Sequence, residues 1–424
     1  MADRDALDEA ARAVLRRNDR GEYTVPTQGL YPFQWNWDSA FAAWGWSTFD
    51  VDRAWREIET LLSGQWTTGM VPHIVFHRPD AGYFPGPDVW RTDREPPTSG
   101  ITQPPVLASL VRRVFAADPA PGRDRLAALF PSLVAWHRWW RVERCTEGVA
   151  VITHPWESGR DNSAAWDVGL ANVVTSAVEP YDRRDLTHVD ASMRPSHRDY
   201  DRYVALVQFG RDVGWDQTRI VADGPFLVAD PAANLILLRA HRDLAALGRE
   251  LGGDAATVAA EIDGWADDLR AALALLRNDE LGGHDARDLR TGRFAGCVTA
   301  SAWLEYWAGV ADDRLDDRLR AVWDRVAFGL PTEDPASSAF DPRRYWRGPT
   351  WPVVNSLVAL GLAEQGRVVE SERLRSETAA LIEQGGFAEY FDPIDGTPCG
   401  GGSFSWTAAV WLAWAGRDGS TVRP

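Results

Sequence analysis

The chain has 424 residues, 45% of them hydrophobic and 25% charged, and a formal net charge of −16. That length and balance suit a globular enzyme with a sizeable core, while the acidity excludes a nucleic-acid partner, which needs a basic face against phosphates. It contains no lysine, which excludes a Schiff-base lysine, a P-loop lysine and a Ser-Lys nucleophile.

Apolar residues recur at three- and four-residue spacing along most of the chain. They predict helices over 5–17, 38–47, 51–64, 104–115, 125–142, 200–213, 231–251, 255–277, 297–309, 314–327, 350–365, 367–384 and 405–415. Asp50, Asp230-Pro231 and Gly348-Pro349-Thr350 read as start signals for three of them. Strand patterns are few: 22–25, 71–77, 149–153 and a hairpin over 284–293. About a dozen helices with short connections and almost no βα alternation predict an all-α fold, an (α/α)6 barrel. In such a toroid of helical hairpins, loops at one end form a pocket. No linker divides the chain, so residues 1–424 read as one catalytic domain, with the Asp/Arg-rich stretch 180–200 as a lid-like loop.

Three scattered cysteines without a CxxC argue against a disulfide framework or a thiolate metal site. Eight histidines without HExxH spacing suggest no metal. No apolar run approaches the ~18–20 residues of a membrane span. The polar start Met1-Ala-Asp-Arg lacks a signal-peptide core. The expectation is a cytoplasmic protein that needs no cofactor, touches no membrane and takes a small-molecule substrate.

Of twenty-two tryptophans, many cluster with Gly, Pro, Asp and Asn, as core helices do not usually show. Two of these aromatic segments carry a carboxylate, Asp161 in Trp156-Glu-Ser-Gly-Arg-Asp-Asn-Ser163 and Glu389 in Gly386-Phe-Ala-Glu-Tyr-Phe-Asp392. Glycoside hydrolysis needs one protonated carboxyl for the leaving oxygen and one ionised carboxylate for water, beside apolar faces for a sugar ring. Glu157 is a rival to Asp161 within its own segment. Asp312-Asp-Arg-Leu-Asp-Asp317 has the look of a magnesium-diphosphate motif, but its interleaved arginines and leucines at helical spacing favour a solvated helix face.

Phe33-Gln-Trp-Asn-Trp-Asp-Ser39, the Trp156–Ser163 block, Tyr345-Trp-Arg-Gly-Pro-Thr-Trp351 and Phe387-Ala-Glu-Tyr-Phe-Asp392 together resemble glycoside hydrolase family 63, in particular its bacterial mannosylglycerate/glucosylglycerate hydrolase group. The blocks follow the family's order and span nearly the whole chain. The resemblance implies an (α/α)6 barrel that cleaves a small charged α-glycoside with inversion. It implies Asp161 as general acid and Glu389 as general base, with Trp35, Trp37, Asp38, Tyr83, Gln103, Trp156 and Gly159 around the sugar. Tyr31, Tyr345, Trp346 and Trp351 would receive the leaving group. If that group is glycerate, Arg202 or Arg347 is the candidate for its carboxylate. The alternatives are a relative acting on a neutral disaccharide or oligosaccharide, a magnesium-dependent helical-toroid cyclase, and a non-catalytic sugar binder.

Overall fold

The computed structural model describes residues 4–417. Thirteen helices carry the architecture: α1 (Arg4–Asn18), α2 (Asn36–Trp46), α3 (Val51–Ser63), α4 (Leu107–Ala117), α5 (Pro119–Glu143), α6 (His197–Asp212), α7 (Pro231–Leu251), α8 (Gly253–Ala272), α9 (Ala300–Ala308), α10 (Asp313–Trp323), α11 (Pro352–Glu364), α12 (Val368–Gly385) and α13 (Ser405–Val410). The last runs on into a π-turn at Trp411–Ala415.

Helix α2 packs on α4, α4 on α7, α7 on α9, α9 on α11, α11 on α13, and α13 back on α2. Six helices thus close a ring. Every residue of α2 and of α9 is buried. A helix apolar on all sides must be enclosed on all sides. The enclosure comes from α1, α3, α5, α8 and α12 packed outside, and from α10, whose Asp316 accepts the Tyr306 hydroxyl of α9 at 2.6 Å.

Local chemistry explains the starts. The Asp50 side chain accepts from Arg53 N–H, and Asp230 accepts from Ala232 and Ala233 N–H ahead of Pro231. Helix α5 begins at Pro119, six residues before the sequence pattern suggested. Prolines in a first turn cost nothing, since those N–H groups have no helical partner. Helix α2 has no cap of its own; the Gln103 side chain, just ahead of α4, accepts the Trp37 N–H at 3.1 Å instead.

The fold is mostly helical, and the all-α expectation is corrected by small antiparallel sheets. The expected strand at 71–77 shrinks to Ile74–Val75, paired with Gln34–Trp35. Val149–Ile152 joins Cys145–Thr146, Val228–Ala229 and Arg287–Asp288 in four strands. At 22–25 there is a single bridge, Asp19 to Thr24, and the hairpin expected at 284–293 forms over 286–295, with Ala295 N–H donating to Ala286 O and Asp288 N–H to Arg293 O, while His284 pairs with Arg277. These segments tie loops together rather than build a core. Among the described residues no helix is long and apolar enough to cross a membrane.

Candidate active site

The ring's inner helices start at one end. The first turn of α2 brings Trp37 and Asp38, the entry to α4 brings Gln103, and the entry to α13 brings Phe404 and Trp406, all lining one cavity. Asp161 and Glu389 line the same cavity, with Tyr31, Trp35, His73, Tyr83, Trp156, Gly159 and Tyr345.

Asp161 follows a short turn, Pro155–Ser158, that His154 caps by accepting the Trp156 N–H. Gly159 has φ +66, and a Cβ there would stand 2.7 Å from the Trp37 ring, so no larger residue lets this loop reach the cavity. Ser163 caps the next turn, and the Tyr203 hydroxyl donates to the Asp161 carbonyl at 2.7 Å. Burial pushes the Asp161 carboxyl up to about 7, against the pull of Arg194 and with added repulsion from Glu389. That suits a group holding a proton near neutrality.

Glu157, the rival, is fully buried away from the cavity. Its carboxylate accepts from Arg144 at 2.7 Å, from Thr153 N–H and hydroxyl at 2.7 and 3.1 Å, and from Thr102 N–H at 3.2 Å. It fastens the loop and does not line the cavity.

Glu389 immediately precedes the strand Tyr390–Phe391, which pairs with Pro398–Cys399. Its carboxylate accepts from Gly401 N–H at 2.9 Å and from the Tyr31 hydroxyl at 3.3 Å. Burial raises its pKa, while Arg194 and these two donors oppose the rise. The glycines Gly400, Gly401 and Gly402 are bound in place. Glu389 N–H donates to Gly401 O, and the Thr27 hydroxyl to Gly402 O. A Cβ on Gly400 would stand 2.4 Å from Glu389 Oε2.

Asp38 is buried on the cavity wall, its pKa raised well above the ordinary value by burial and by Glu389. Tyr345 sits at φ +46, a backbone region costly for a bulky residue. It is held there by Trp351 Nε1 donating to its carbonyl at 3.1 Å and by Trp346 N–H donating to Asn162 at 2.8 Å.

Four expected positions lie elsewhere. Trp346 and Trp351 stack at 3.7 Å between centroids, fully buried behind Tyr345, and form its backing rather than the wall. Arg347 points to Asp167, 2.5 and 3.1 Å away, and Arg202 lies 3.6 Å from Asp199; neither lines the cavity. Helical spacing and aromatic context could not show that these guanidiniums were already engaged.

The arginine that does line the cavity is Arg194, from the stretch that read as a lid. Its Nη1 donates to the Tyr31 hydroxyl at 2.9 Å, its Nε to Asp185 at 3.1 Å, and its guanidinium lies over the Tyr345 ring at 4.3 Å. Asp185 is itself gripped by Arg183. The lid is also tied down by the Tyr390 hydroxyl donating to Met193 O. Sequence pointed to this segment but not to one arginine among Arg183, Arg184, Arg194 and Arg198. His73 was missed too; it stacks on Trp156 and burial holds it well below its ordinary pKa, as a neutral ring.

The Asp312–Asp317 segment is explained by helix α10. Asp312 caps it, Asp316 pairs with Arg367, and Asp317 with Arg320. Among the described residues no group of three or more His, Cys, Asp or Glu side chains could hold a metal.

A family model described as a mannosylglycerate hydrolase MGH1-like glycoside hydrolase domain matches residues 31–407. The chain belongs to that family of glycoside hydrolases. It is 44% identical to a mannosylglycerate hydrolase of Thermus thermophilus, over 95% of this chain and 98% of the relative. It is 37% identical to a glucosylglycerate hydrolase of Mycolicibacterium hassiacum, over 96% and 97%. The crystal structure of a GH63 mannosylglycerate hydrolase from T. thermophilus in complex with Tris and D-glycerate superposes with a TM-score of 0.91 at 44% identity, covering 96% of this chain and 99% of that one. This glycoside hydrolase presents four carboxyls, Asp38, Asp161, Asp185 and Glu389, and an aromatic wall to one cavity.

Proposed function

We propose that the chain hydrolyses the α-glycosidic bond of a small glycoside whose leaving group carries a carboxylate, mannosylglycerate or glucosylglycerate, with inversion. The observation that carries this reading is Arg194, a buried guanidinium on the same cavity as Asp161 and Glu389. Asp185 takes its Nε, while the rest of the guanidinium meets only the Tyr31 hydroxyl and the Tyr345 ring, and a substrate carboxylate there would form a charged hydrogen bond that a neutral disaccharide lacks. The relatives named as mannosylglycerate and glucosylglycerate hydrolases support it.

Asp161, protonated through burial, gives its proton to the glycosidic oxygen as the bond breaks. Glu389, kept ionised by Gly401 N–H and Tyr31, takes a proton from the water that attacks the anomeric carbon from the opposite face. Trp35, Trp37, Asp38, Tyr83, Gln103, Trp156 and Gly159 hold the sugar, and Tyr31, Tyr345 and Arg194 receive the glycerate. The chemistry requires no cofactor. We assign the ring of six inner and six outer helices to an (α/α)6 barrel, one catalytic domain with a lid at 180–200. The three free cysteines support a cytoplasmic setting.

The test is a hexose-release assay across mannosylglycerate, glucosylglycerate, trehalose and maltose, with NMR of the first-formed anomer. The expected result is turnover of a glycerate glycoside with the β-anomer released first. Preference for trehalose or maltose would sink the charged leaving group, and an α-anomer would sink inversion.

A further inference from the structure

The cavity gathers carboxyls faster than cations. Asp38 comes from α2, Asp161 from the loop after Ser158, Glu389 from the hairpin before α13, and Asp185 from the lid. Among the described residues Arg194 is the one arginine on its lining. Arg183 answers Asp185 from behind, at 2.6 and 3.0 Å. Arg194 also holds Asp185, at 3.1 Å, and its remaining pull falls on Asp161 and Glu389 and lowers both. Tyr31, Tyr83, Tyr203 and Tyr345 also face Asp161, but burial keeps each a neutral phenol.

A glycoside carrying its own carboxylate adds a negative charge to this closed account. Paired with Arg194, it cancels the guanidinium's field at the two catalytic carboxyls, and one of them gains a proton. The two are not equally ready to accept it. Glu389 receives hydrogen bonds from Gly401 N–H and the Tyr31 hydroxyl, both favouring its charged form. Asp161 has its own backbone amide for that purpose. The proton settles on Asp161.

We propose that the carboxylate of the leaving group, on pairing with Arg194, draws a proton from bulk water onto Asp161, so that an anionic substrate arms its own general acid. The specificity for charge is then catalytic as well as adhesive, because a neutral glycoside leaves Arg194 with Asp185 as its one close ion pair, its field still on Asp161, which stays partly ionised. The inference rests on the anionic leaving group proposed above.

The test measures protons without turnover. D-glycerate is titrated calorimetrically into the wild-type protein at pH 7 in buffers of different ionisation enthalpy, with glycerol as the neutral control. With Asp161 about half ionised before binding, the expected uptake is up to ~0.5 proton per glycerate and none with glycerol. Asp161→Asn should bind glycerate and lose the uptake. Glycerate binding without uptake overturns the inference while leaving the anionic reading intact, as does undiminished uptake in Asp161→Asn. Failure of glycerate to bind at any concentration overturns both. A kinetic arm guards against a damaged variant. The alkaline limb of kcat should lie about one pH unit or more above that of kcat/KM for the anionic substrate, and the two should coincide for its methyl ester. Arg194→Gln should raise the kcat/KM limb by itself, which a purely structural role would not do.

Discussion

The two mouths of the helix ring handle buried charge in opposite ways. At the mouth where the inner helices begin, Asp38, Asp161, Glu389 and Asp185 line a cavity with one arginine, Arg194, which pairs with Asp185, and the first three are raised in pKa. At the far mouth, where the inner helices end, Arg239 donates to Asp243 at 2.8 Å and to Glu364 at 2.8 Å, and lies over Trp307 at 4.1 Å. Arg112 donates to Asp243 and Arg242 to the Ala308 carbonyl. Helix dipoles favour this distribution of sign, anions at N-terminal ends and cations at C-terminal ends. They do not explain the difference in pairing. The far mouth uses burial with partners, which stabilises. The near mouth uses burial without enough partners, which leaves carboxyls free to trade protons.

The sharpest way to break that contrast is to neutralise one carboxyl at each end. Asp161→Asn should lower kcat by ~10²–10⁴-fold with modest change in KM, since size is kept and the transferable proton lost. Glu389→Gln should do the same. Asp243→Asn should instead destabilise the fold by about 1–3 kcal/mol in denaturant titration, because it removes the buried carboxylate between Arg239 and Arg112 while Glu364 still holds Arg239. Its turnover per folded molecule should stay near wild type; a large fall in kcat with the fold intact would erase the division between the two mouths.

A smaller effect tests how the base is placed. In Gly400→Ala, the new methyl falls against Glu389 Oε2, and displacement of the base should cost on the order of 10–10²-fold in kcat. Unchanged kcat would show that the loop has room to yield.

The pH profile sharpens the near mouth further. Asp161 works protonated, so kcat/KM should fall as pH rises through about 7. Glu389 works ionised, so activity should fall as pH drops through a value above the ordinary glutamate range. The smallest effect is on stability. Asp161 has a folded pKa above its unfolded one, so ionising it costs stability as pH climbs between the two, and the whole cost is present above about 7. Asp161→Asn should therefore stabilise the protein at pH 8, by on the order of 1–2 kcal/mol after solvent screening, and by almost nothing near pH 4. A variant less stable than wild type at pH 8 would contradict a strained, unpaired acid.

Much of the scaffold was legible because a helix writes its periodicity locally. Helix α7 begins and ends where its apolar spacing and the Asp230-Pro231 start signal place it. Asp161 and Glu389 were legible as carboxylates in aromatic surroundings, Trp37, Tyr83 and Gln103 through the family resemblance, and the cavity does collect them. Legibility stopped where an outcome depended on a distant partner. The two-residue strands at Gln34–Trp35 and Ile74–Val75 exist through each other. Trp346 and Trp351 look as available as Tyr345 in sequence, yet their mutual stack removes them from the cavity.

The amino-acid order by itself determined the helical scaffold, the absence of any lysine chemistry and the aromatic setting of the two acids, because each is a property of one residue and its near neighbours. Tertiary structure alone decided which carboxyl faces the cavity and which arginine lines it. Glu157 and Asp161 stand four positions apart. One is buried among donors from Arg144, Thr153 and Thr102, and the other faces a cavity it shares with Glu389 and Arg194. Ionisation is set by the field of everything within several ångströms, and that neighbourhood does not exist until the ring has closed.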